Sequence, residues 1–485
     1  MATERKVGLK ALLSYGCGDL YGGGSFLLIS TLFMFYLTDV IGMAPALAGL
    51  VVFAGKAWDA ISDPLMGVLS DRTKSRFGRR RVYFLAGILP IFASFAMLWL
   101  GVKTGKPVFD FLYYFFAYVL FCTVSTMVMI PYAALPTEMT GDYRLRTRLS
   151  GARMVFSQLS ALLAGTIPGF LVKNVYRNDP GAGFLVVGLV FGALYALPWL
   201  LVYRGTWEDE SAAAVSSKGL GTAFKDMRTL FRSRSYRLHI GLYLLGYSAL
   251  DVLSAVFIFF VTYYLGRGSA YTLCLGAMLV AQLLALPLHL TIANRIGKGR
   301  DYAIGAAIVS VGALALFGLG PSTPTAVLVA LSAALGTGLS AVVAMPWAML
   351  PESADVDELT NGEQRAGVVS GTFTLARKLV QATVLWLFGI ALGIIGYVPN
   401  AEQAPGTLLG IRILFAIVPL ALVAIGSVVA LRYPVTPSSF AAVRAELDRL
   451  RAGGDRSSCD PQARAVLEKV TGRPYGQAAG GKAPA

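Results

Sequence analysis

Residues 46–81 read ALAGLVVFAGKAWDAISDPLMGVLSDRTKSRFGRRR. The first two dozen are almost wholly apolar, broken by Lys56, Asp59 and Asp63. The last eleven carry Asp71 and six cations: Arg72, Lys74, Arg76, Arg79, Arg80 and Arg81. An apolar run of about 20 residues matches the hydrocarbon core of a bilayer at 1.5 Å per helical residue. A dense basic turn directly after such a run is what holds a loop on the cytoplasmic side. The stretch therefore reads as a membrane-spanning helix followed by a cytoplasmic turn.

The same reading extends along the whole chain. Apolar runs at about 11–38, 46–69, 82–102, 108–136, 150–172, 183–204, 236–265, 269–295, 301–320, 323–350, 366–397 and 407–432 predict twelve spans in an all-α membrane protein. Hydrophobic residues are 56% of the 485 and charged residues only 14%, against roughly 25% charged in an average soluble domain. Mean hydropathy is +0.64. The net charge of +15 sits between the apolar runs rather than in a basic domain of its own, which argues against nucleic acid as a partner. Cys17, Cys122, Cys274 and Cys459 have neither metal-site nor disulfide-framework spacing and read as packing residues. The first apolar run, from Ala11 to about Leu37, is too long for the apolar region of a cleavable leader.

Basic residues set the orientation. Beside the turn at 71–81 stand Arg144, Arg146, Arg148 and Arg153, then Arg204, Lys218, Lys225, Arg228, Arg232, Arg234 and Arg237 in the central linker. The opposite side carries only Lys103, Lys106, Lys173, Arg177 and Arg267. Both termini are expected in the cytoplasm, which requires an even number of spans. The linker at 205–235, with Glu208, Asp209 and Glu210, divides the chain into a six-span bundle at 1–204 and another at 236–432. GVLSDRTKSRFGRRR at 67–81 and IANRIGKGRDYA at 292–303 are Gly- and Arg-rich turns at corresponding places. Six plus six is the parallel-repeat plan of the major facilitator fold, with the site between the halves. A polar cytoplasmic tail at 433–485 follows. It contains an amphipathic helix at 438–451, and beyond Arg451 it is expected to lack a core and be dispensable for transport.

Acids within apolar spans are costly and functional by default. Asp59 and Asp63 are i and i+4, so both carboxylates share one helical face. With Ser62 they offer the oxygen ligands a hard monovalent cation such as Na⁺ needs; alternatively the pair holds one proton, since like charges favour protonation. Lys56, three residues before Asp59, is placed to offset its charge. Asp19, in YGCGDLYGGG, has glycines on both sides, and Gly22, Gly23 and Gly24 allow a bend or a close helix crossing. Span four carries Thr123, Thr126, Pro131 and Tyr132, followed by Glu138 and Asp142. Pro131, Pro168, Pro287 and Pro346 mark kinks. Arg153 points either inward or to an exposed face. Asp251 stands among apolar and aromatic residues, Tyr243, Tyr247 and Phe257. Arg377 either snorkels to the surface or, like Lys378, needs a buried partner, for which the span-two acids are candidates. Asp71, Arg72, Arg79 and Arg80 are read as gating residues whose contacts break and re-form as two bundles rock.

The runs YGCGDLYGGGSFLLISTLFMFYLTDVIGM, KAWDAISDPLMGVLSDRTKSRFGRRR, IPYAALPTEMTGDYRLRTRLSGAR and PWAMLPESADVDELTNGEQRAGVVSGTFTLARKLVQA resemble the glycoside–pentoside–hexuronide:cation symporters of the major facilitator superfamily. Melibiose permease is the familiar member, and lysophospholipid symporters form a related branch. The resemblance implies that Asp59 and Asp63 are cation-site acids, with Ser62 and Thr123 or Thr126 as polar ligands. It implies that Asp19 and Lys378 lie at the substrate site, where Tyr132, Arg153 and Asp251 are further candidates. Ala354 and Asp355 match a family Ala-Asp pair. Met129 departs from the pattern, because melibiose permease has a sugar-binding aspartate there; galactoside specificity is therefore not implied.

The sequence thus predicts a monomeric twelve-helix inner-membrane protein, not an enzyme. It is expected to be a sodium- or proton-coupled symporter importing a small solute, a sugar or glycoside, by alternating access and without a cofactor. The alternative cargo is an amphiphile such as a lysophospholipid. His239 and His289 are separate and form no metal motif with the cysteines.

Overall fold

A computed structural model describes residues 8–140, 143–208, 227–362 and 365–475, and every regular element within them is helical. The N-terminal half starts with a divided rod. α1 (Leu9–Gly16) and α2 (Asp19–Leu28) part at Cys17–Gly18, and wide π-type turns at Ile29–Phe33 and Tyr36–Val40 complete it. Then come α3 (Pro45–Arg72), α4 (Arg81–Met97), α5 (Pro107–Ala134), the single turn α6 (Pro136–Met139), α7 (Tyr143–Phe170), α8 (Pro180–Ala196) and α9 (Pro198–Gly205). The C-terminal half comprises α10 (Arg234–Phe259), α11 (Tyr271–Ile296), α12 (Lys298–Phe317), α13 (Thr325–Asn361), α14 (Ala366–Ile394), α15 (Pro405–Arg412) and α16 (Val418–Leu431). Nine helices among the described residues are long and apolar enough to cross a membrane. The other three expected spans are helical too. The first is divided, α3 carries three charges in its middle, and α4 has only 17 residues.

Helix starts follow local chemistry. Pro45, Pro107, Pro180 and Pro405 stand in the first turn of α3, α5, α8 and α15, where a missing N–H leaves nothing unpaired. Pro131, Pro168, Pro287 and Pro346 lie inside helices that run on through them. The tight turn between α11 and α12 needs Gly297, whose φ is +96°. Gly23 and Gly24 give the close crossing that the sequence suggested: a Cβ on either would collide with Ser157 or Ser160 of α7. The break in the first rod falls at Cys17–Gly18 instead, where a Cβ on Gly18 would lie 2.9 Å from the Tyr132 ring.

The halves meet along α3 with α14 and α7 with α11. Gly49 backs onto Trp386, Phe53 packs on Trp386 at 5.3 Å, and Gly165 and Gly169 face Leu279 and Tyr271. At the end opposite the basic turns, Asp39 accepts hydrogen bonds from Tyr263 and from Tyr397 at 2.6 Å, and Phe35 meets Phe259 edge-on at 5.7 Å.

The tail departs from expectation. α17 (Pro437–Arg451) covers the predicted amphipathic helix, but α18 (Pro461–Thr471) follows, and Val443, Leu447, Leu467 and Val470 are buried. Arg451 pairs with Glu358 of α13 at 2.8 Å, Arg444 with Asp355 at 3.3 Å, and Ser235 of α10 donates to the Val470 carbonyl. The segment beyond Arg451 therefore has a core and a docking site. Charge spacing hid this, because its few apolar residues bury only when two short helices pair.

Of the linker at 205–235, residues 209–226 lie outside the described residues, as do Asp142, the final ten residues and the side chains of Asp71, Arg144 and Arg146. Glu208 is described. Its carboxylate accepts from the backbone N–H groups of Arg79, Arg80 and Arg81 at 2.6, 2.9 and 2.6 Å, capping α4.

Candidate functional site

Three charged clusters lie among the helices, and one of them joins the two halves. The i, i+4 spacing puts Asp59 and Asp63 of α3 on one face. α5 presents Thr126 to that face, with its Oγ1 2.9 Å from Asp59 Oδ1, 2.8 Å from Asp63 Oδ1 and 3.1 Å from Ser62 Oγ. From α14 of the other half, Lys378 reaches Asp59 Oδ2 at 3.0 Å and contacts Asp63 Oδ2. Lys56 stands 4.0 Å from Asp59 and lies over the Phe26 ring at 3.9 Å. Asp59 is 1% exposed, while the side chains of Asp63 and Lys378 are about a fifth exposed.

The cluster has an oxygen-rich core. A hydroxyl carries one proton, so Thr126 donates fully to only one carboxylate at a time. Its proton can be shared between the two, and a proton on a carboxyl or a cation between the oxygens would strengthen the second contact. Two carboxylates and two hydroxyls also suit a hard monovalent cation. Among the described residues there is no group of three or more His, Cys, Asp and Glu of the kind that holds a transition metal.

The second cluster lies within the N-terminal half. Arg153 of α7 points inward and meets Asp19 of α2 at 3.1 Å. Its guanidinium covers the Tyr132 ring at 5.2 Å, and Tyr132 stacks on Tyr15 at 4.6 Å while donating to the Tyr15 carbonyl at 2.7 Å. Tyr132 is fully buried and so supports Arg153 from behind. Met129 borders this cluster: a Cβ on Gly22 would lie 2.5 Å from its Cε and 2.6 Å from Asp19 Oδ1.

The third cluster lies within the C-terminal half. Asp251 of α10 accepts from both terminal guanidinium nitrogens of Arg377 at 2.7 Å and from Gln381 Nε2 at 3.1 Å. Arg377 covers the Tyr247 ring at 4.7 Å, and Trp347 Nε1 donates to Tyr247 Oη at 2.7 Å. Asp251 is therefore paired rather than isolated, and Arg377 faces inward rather than snorkelling.

The sequence-predicted residues divide as follows. Asp59, Asp63, Ser62, Thr126 and Lys378 come together, which places Lys378 on the acid pair rather than with Asp19. Asp19, Arg153 and Tyr132 form one group, and Asp251 another. Thr123 departs from expectation: it is exposed, accepts from Trp58 Nε1 at 2.9 Å and donates to the Val119 carbonyl. It lines an apolar surface groove with Phe109, Phe116 and Leu120. At the basic end Arg79 and Arg80 both engage Glu138, the latter at 2.5 Å, while Arg72 is exposed. The contacts of Glu138 and Glu208 have no counterpart in the sequence pattern. That of Gln381 has one, since Arg377 and Gln381 are i and i+4.

Comparisons with known proteins bear on the family and the fold. The family model described as MFS/sugar transport protein matches residues 14–437. The glucuronide carrier protein homolog of Escherichia coli (strain K12) is 26% identical, covering 92% of this chain and 96% of its own. The isoprimeverose transporter of Lactiplantibacillus pentosus is 27% identical, covering 87% and 88%. Among solved structures, a bacterial homolog of the human lysosomal transporter Spinster, inward-facing and unoccupied, aligns with a TM-score of 0.64 at 14% identity, over 91% of this chain and 97% of that one. That likeness concerns the fold. The chain, helical in every regular element among the described residues and matched over most of its length by one transporter family, belongs to the MFS/sugar transport proteins, and it is a transporter rather than an enzyme.

Proposed function

We propose that this protein is a cation-coupled symporter that carries a small polar solute, a sugar or glycoside, across a bacterial inner membrane by alternating access. The reading places both termini and the basic turns in the cytoplasm. The observation that supports it most is the bridge from Lys378 in one half to Asp59 and Asp63 in the other, closed by Thr126. Two carboxylates on one face of an apolar span, Asp59 fully buried and Asp63 partly so, must be neutralised. In the empty carrier Lys378 does this; in the loaded carrier Na⁺ or H⁺ takes its place and frees the lysine. Ion entry thus alters a contact between the halves, which is what coupling requires: the ligand must bind one arrangement better than the other.

The solute would sit between Asp19–Arg153 and Asp251–Arg377–Gln381. These groups present charge and hydrogen-bonding capacity from opposite halves, which favours a polar cargo over an acyl chain. Gating would fall to the end bearing Arg72, Arg79, Arg80 and Glu138. Asp71, assigned to the same gate, belongs to this reading by its position. The chain would work as a monomer.

The test is uptake by proteoliposomes holding the purified protein. A panel of sugars, glycosides and hexuronides is supplied under an inward sodium gradient, then under an inward proton gradient, with lysophosphatidylcholine as the amphiphile arm. Concentrative uptake of a sugar-class solute under one gradient is expected. Accumulation of only the lysophospholipid would transfer the reading to an amphiphile carrier, and uptake indifferent to both gradients would remove the coupling.

A further inference from the structure

Outside these clusters, the C-terminal half holds a buried histidine–acid pair. His289 of α11 is 2% exposed and Asp301, in the first turn of α12, is 0% exposed. His289 Nδ1 lies 2.9 Å from Asp301 Oδ1, and His289 Nε2 lies 3.1 Å from the Thr337 carbonyl of α13. The carbonyl can only accept, so Nε2 bears a proton. Nδ1 then faces a carboxylate oxygen at hydrogen-bond distance. With a neutral ring and an ionised acid, two lone pairs would oppose each other there in a buried setting. The contact is attractive only with one further proton, on Nδ1 or on the carboxyl.

The surrounding charges leave this pair to itself. On the helices packed about it, Arg295 and Arg300 are exposed, and Lys298 is held by Glu352 and the Ala348 carbonyl, each at 2.6 Å. Arg444 of α17 is taken by Asp355, and Arg432 after α16 is exposed. Among the described residues, no ion pair to Asp301 other than His289 occurs within 4.0 Å. Asp301 Oδ2 is buried without a hydrogen-bond partner.

We propose that His289 and Asp301 form a proton-binding site, separate from the coupling acids. One shared proton across their contact clamps α11, α12 and α13 together at the basic end of the C-terminal half. Losing it leaves a buried anion against a lone pair, so the clamp loosens as the proton leaves.

The chain has two histidines, which makes the test direct. Nitrogen-15 NMR of ring-labelled protein reads the imidazole, with H289Q assigning the signals, and infrared difference spectra against D301N read the carboxyl. At pH 7 the expected result is either a doubly protonated His289 ring or a protonated Asp301. A neutral ring beside an ionised Asp301 would overturn the proposal. Raising the pH should remove that proton in a single step, and the thermal midpoint of the wild type should fall across it. In D301N, where the amide donates to Nδ1 without a titrating proton, the midpoint should lack that step, as it should in H289Q. An unchanged pH profile in both variants would refute the clamp. Cation-stimulated solute binding should survive in D301N; its loss would make this part of the coupling site and refute its separateness.

Discussion

Replacing Lys378 by methionine removes the internal cation while keeping the aliphatic stem. In the proposed mechanism an incoming Na⁺ or H⁺ has to displace an ammonium held 3.0 Å from Asp59 and in contact with Asp63 in the wild type. A hydrogen bond to a charged group contributes about 1.5–3 kcal/mol net. Lys378 is partly solvated, so the lower part of that range is the better guide. At 1.4 kcal/mol per decade, an apparent dissociation constant about tenfold lower is expected for the coupling cation, with a ceiling near 100-fold. Isothermal calorimetry on detergent-purified protein, titrated with sodium at fixed pH and then assayed for proton release, measures this. Concentrative uptake should nevertheless fail, because nothing re-neutralises the acids during the empty carrier's return. Downhill exchange of solute with the cation left bound should persist. If Lys378→Met binds the cation no tighter than the wild type while keeping its thermal midpoint and its solute affinity, Lys378 does not compete for the site and the displacement reasoning fails.

Other outcomes follow from the same geometry. Asp63→Asn should abolish accumulation under both gradients while retaining some downhill exchange, and Asp59→Asn should behave similarly; gradient-driven uptake at wild-type levels in either variant would show that the acids are structural. Asp251→Asn leaves Arg377 with a weakened partner and should lower solute affinity about tenfold or more without changing cation affinity, as read by binding of each ligand alone. Glu208→Gln weakens the anionic cap on three N–H groups at the start of α4 and should lower stability by about 1 kcal/mol, seen in the thermal midpoint. Truncation after Arg451 exposes Val443 and Leu447 and should reduce both midpoint and yield. Glu446 is held below the usual carboxylate range by its hydrogen bonds to Arg449, reinforced by Tyr475. Its share of tail stability is therefore present above the ordinary glutamate range and lost as pH falls through the depressed value, so Glu446→Gln should flatten the acid side of the stability profile.

The cluster of Asp59, Asp63 and Lys378 was legible because its parts break rules. Two acids at i and i+4 in an apolar helix have one shared face, and a lysine in another apolar helix has to find a partner. The fold followed from run length and basic turns. What stayed hidden depends on rotation about helix axes and on contacts distant in sequence. Thr123 and Thr126 are three residues apart, roughly 60° around α5. That offset turns one hydroxyl to the acids and the other to Trp58 on the exposed face. Arg377 and Lys378 are adjacent, about 100° apart, so one faces Asp251 in its own half while the other crosses to α3. Nothing in the local pattern decides which goes where.

This adjacency bears on mechanism. Arg377 and Lys378 are fixed to the same turn of α14, so a shift that withdraws Lys378 from the α3 acids also moves the guanidinium bonded to Asp251 and Gln381. In the proposed mechanism, cation entry on one face of the helix would therefore act on the Asp251–Arg377–Gln381 cluster through a single rigid element. No chain of contacts through the core is required, because a helical turn transmits the displacement directly. If the two ligands are coupled in this way, linkage makes the effect reciprocal: solute engaging Arg377 would raise cation affinity by the same factor that the cation raises solute affinity. Arg377→Lys tests this step. It keeps the charge but loses the paired nitrogens on Asp251, so each ligand should still bind alone while the factor between them falls toward one. A factor equal to that of the wild type would mean that the two sites communicate by some other route than this turn of α14.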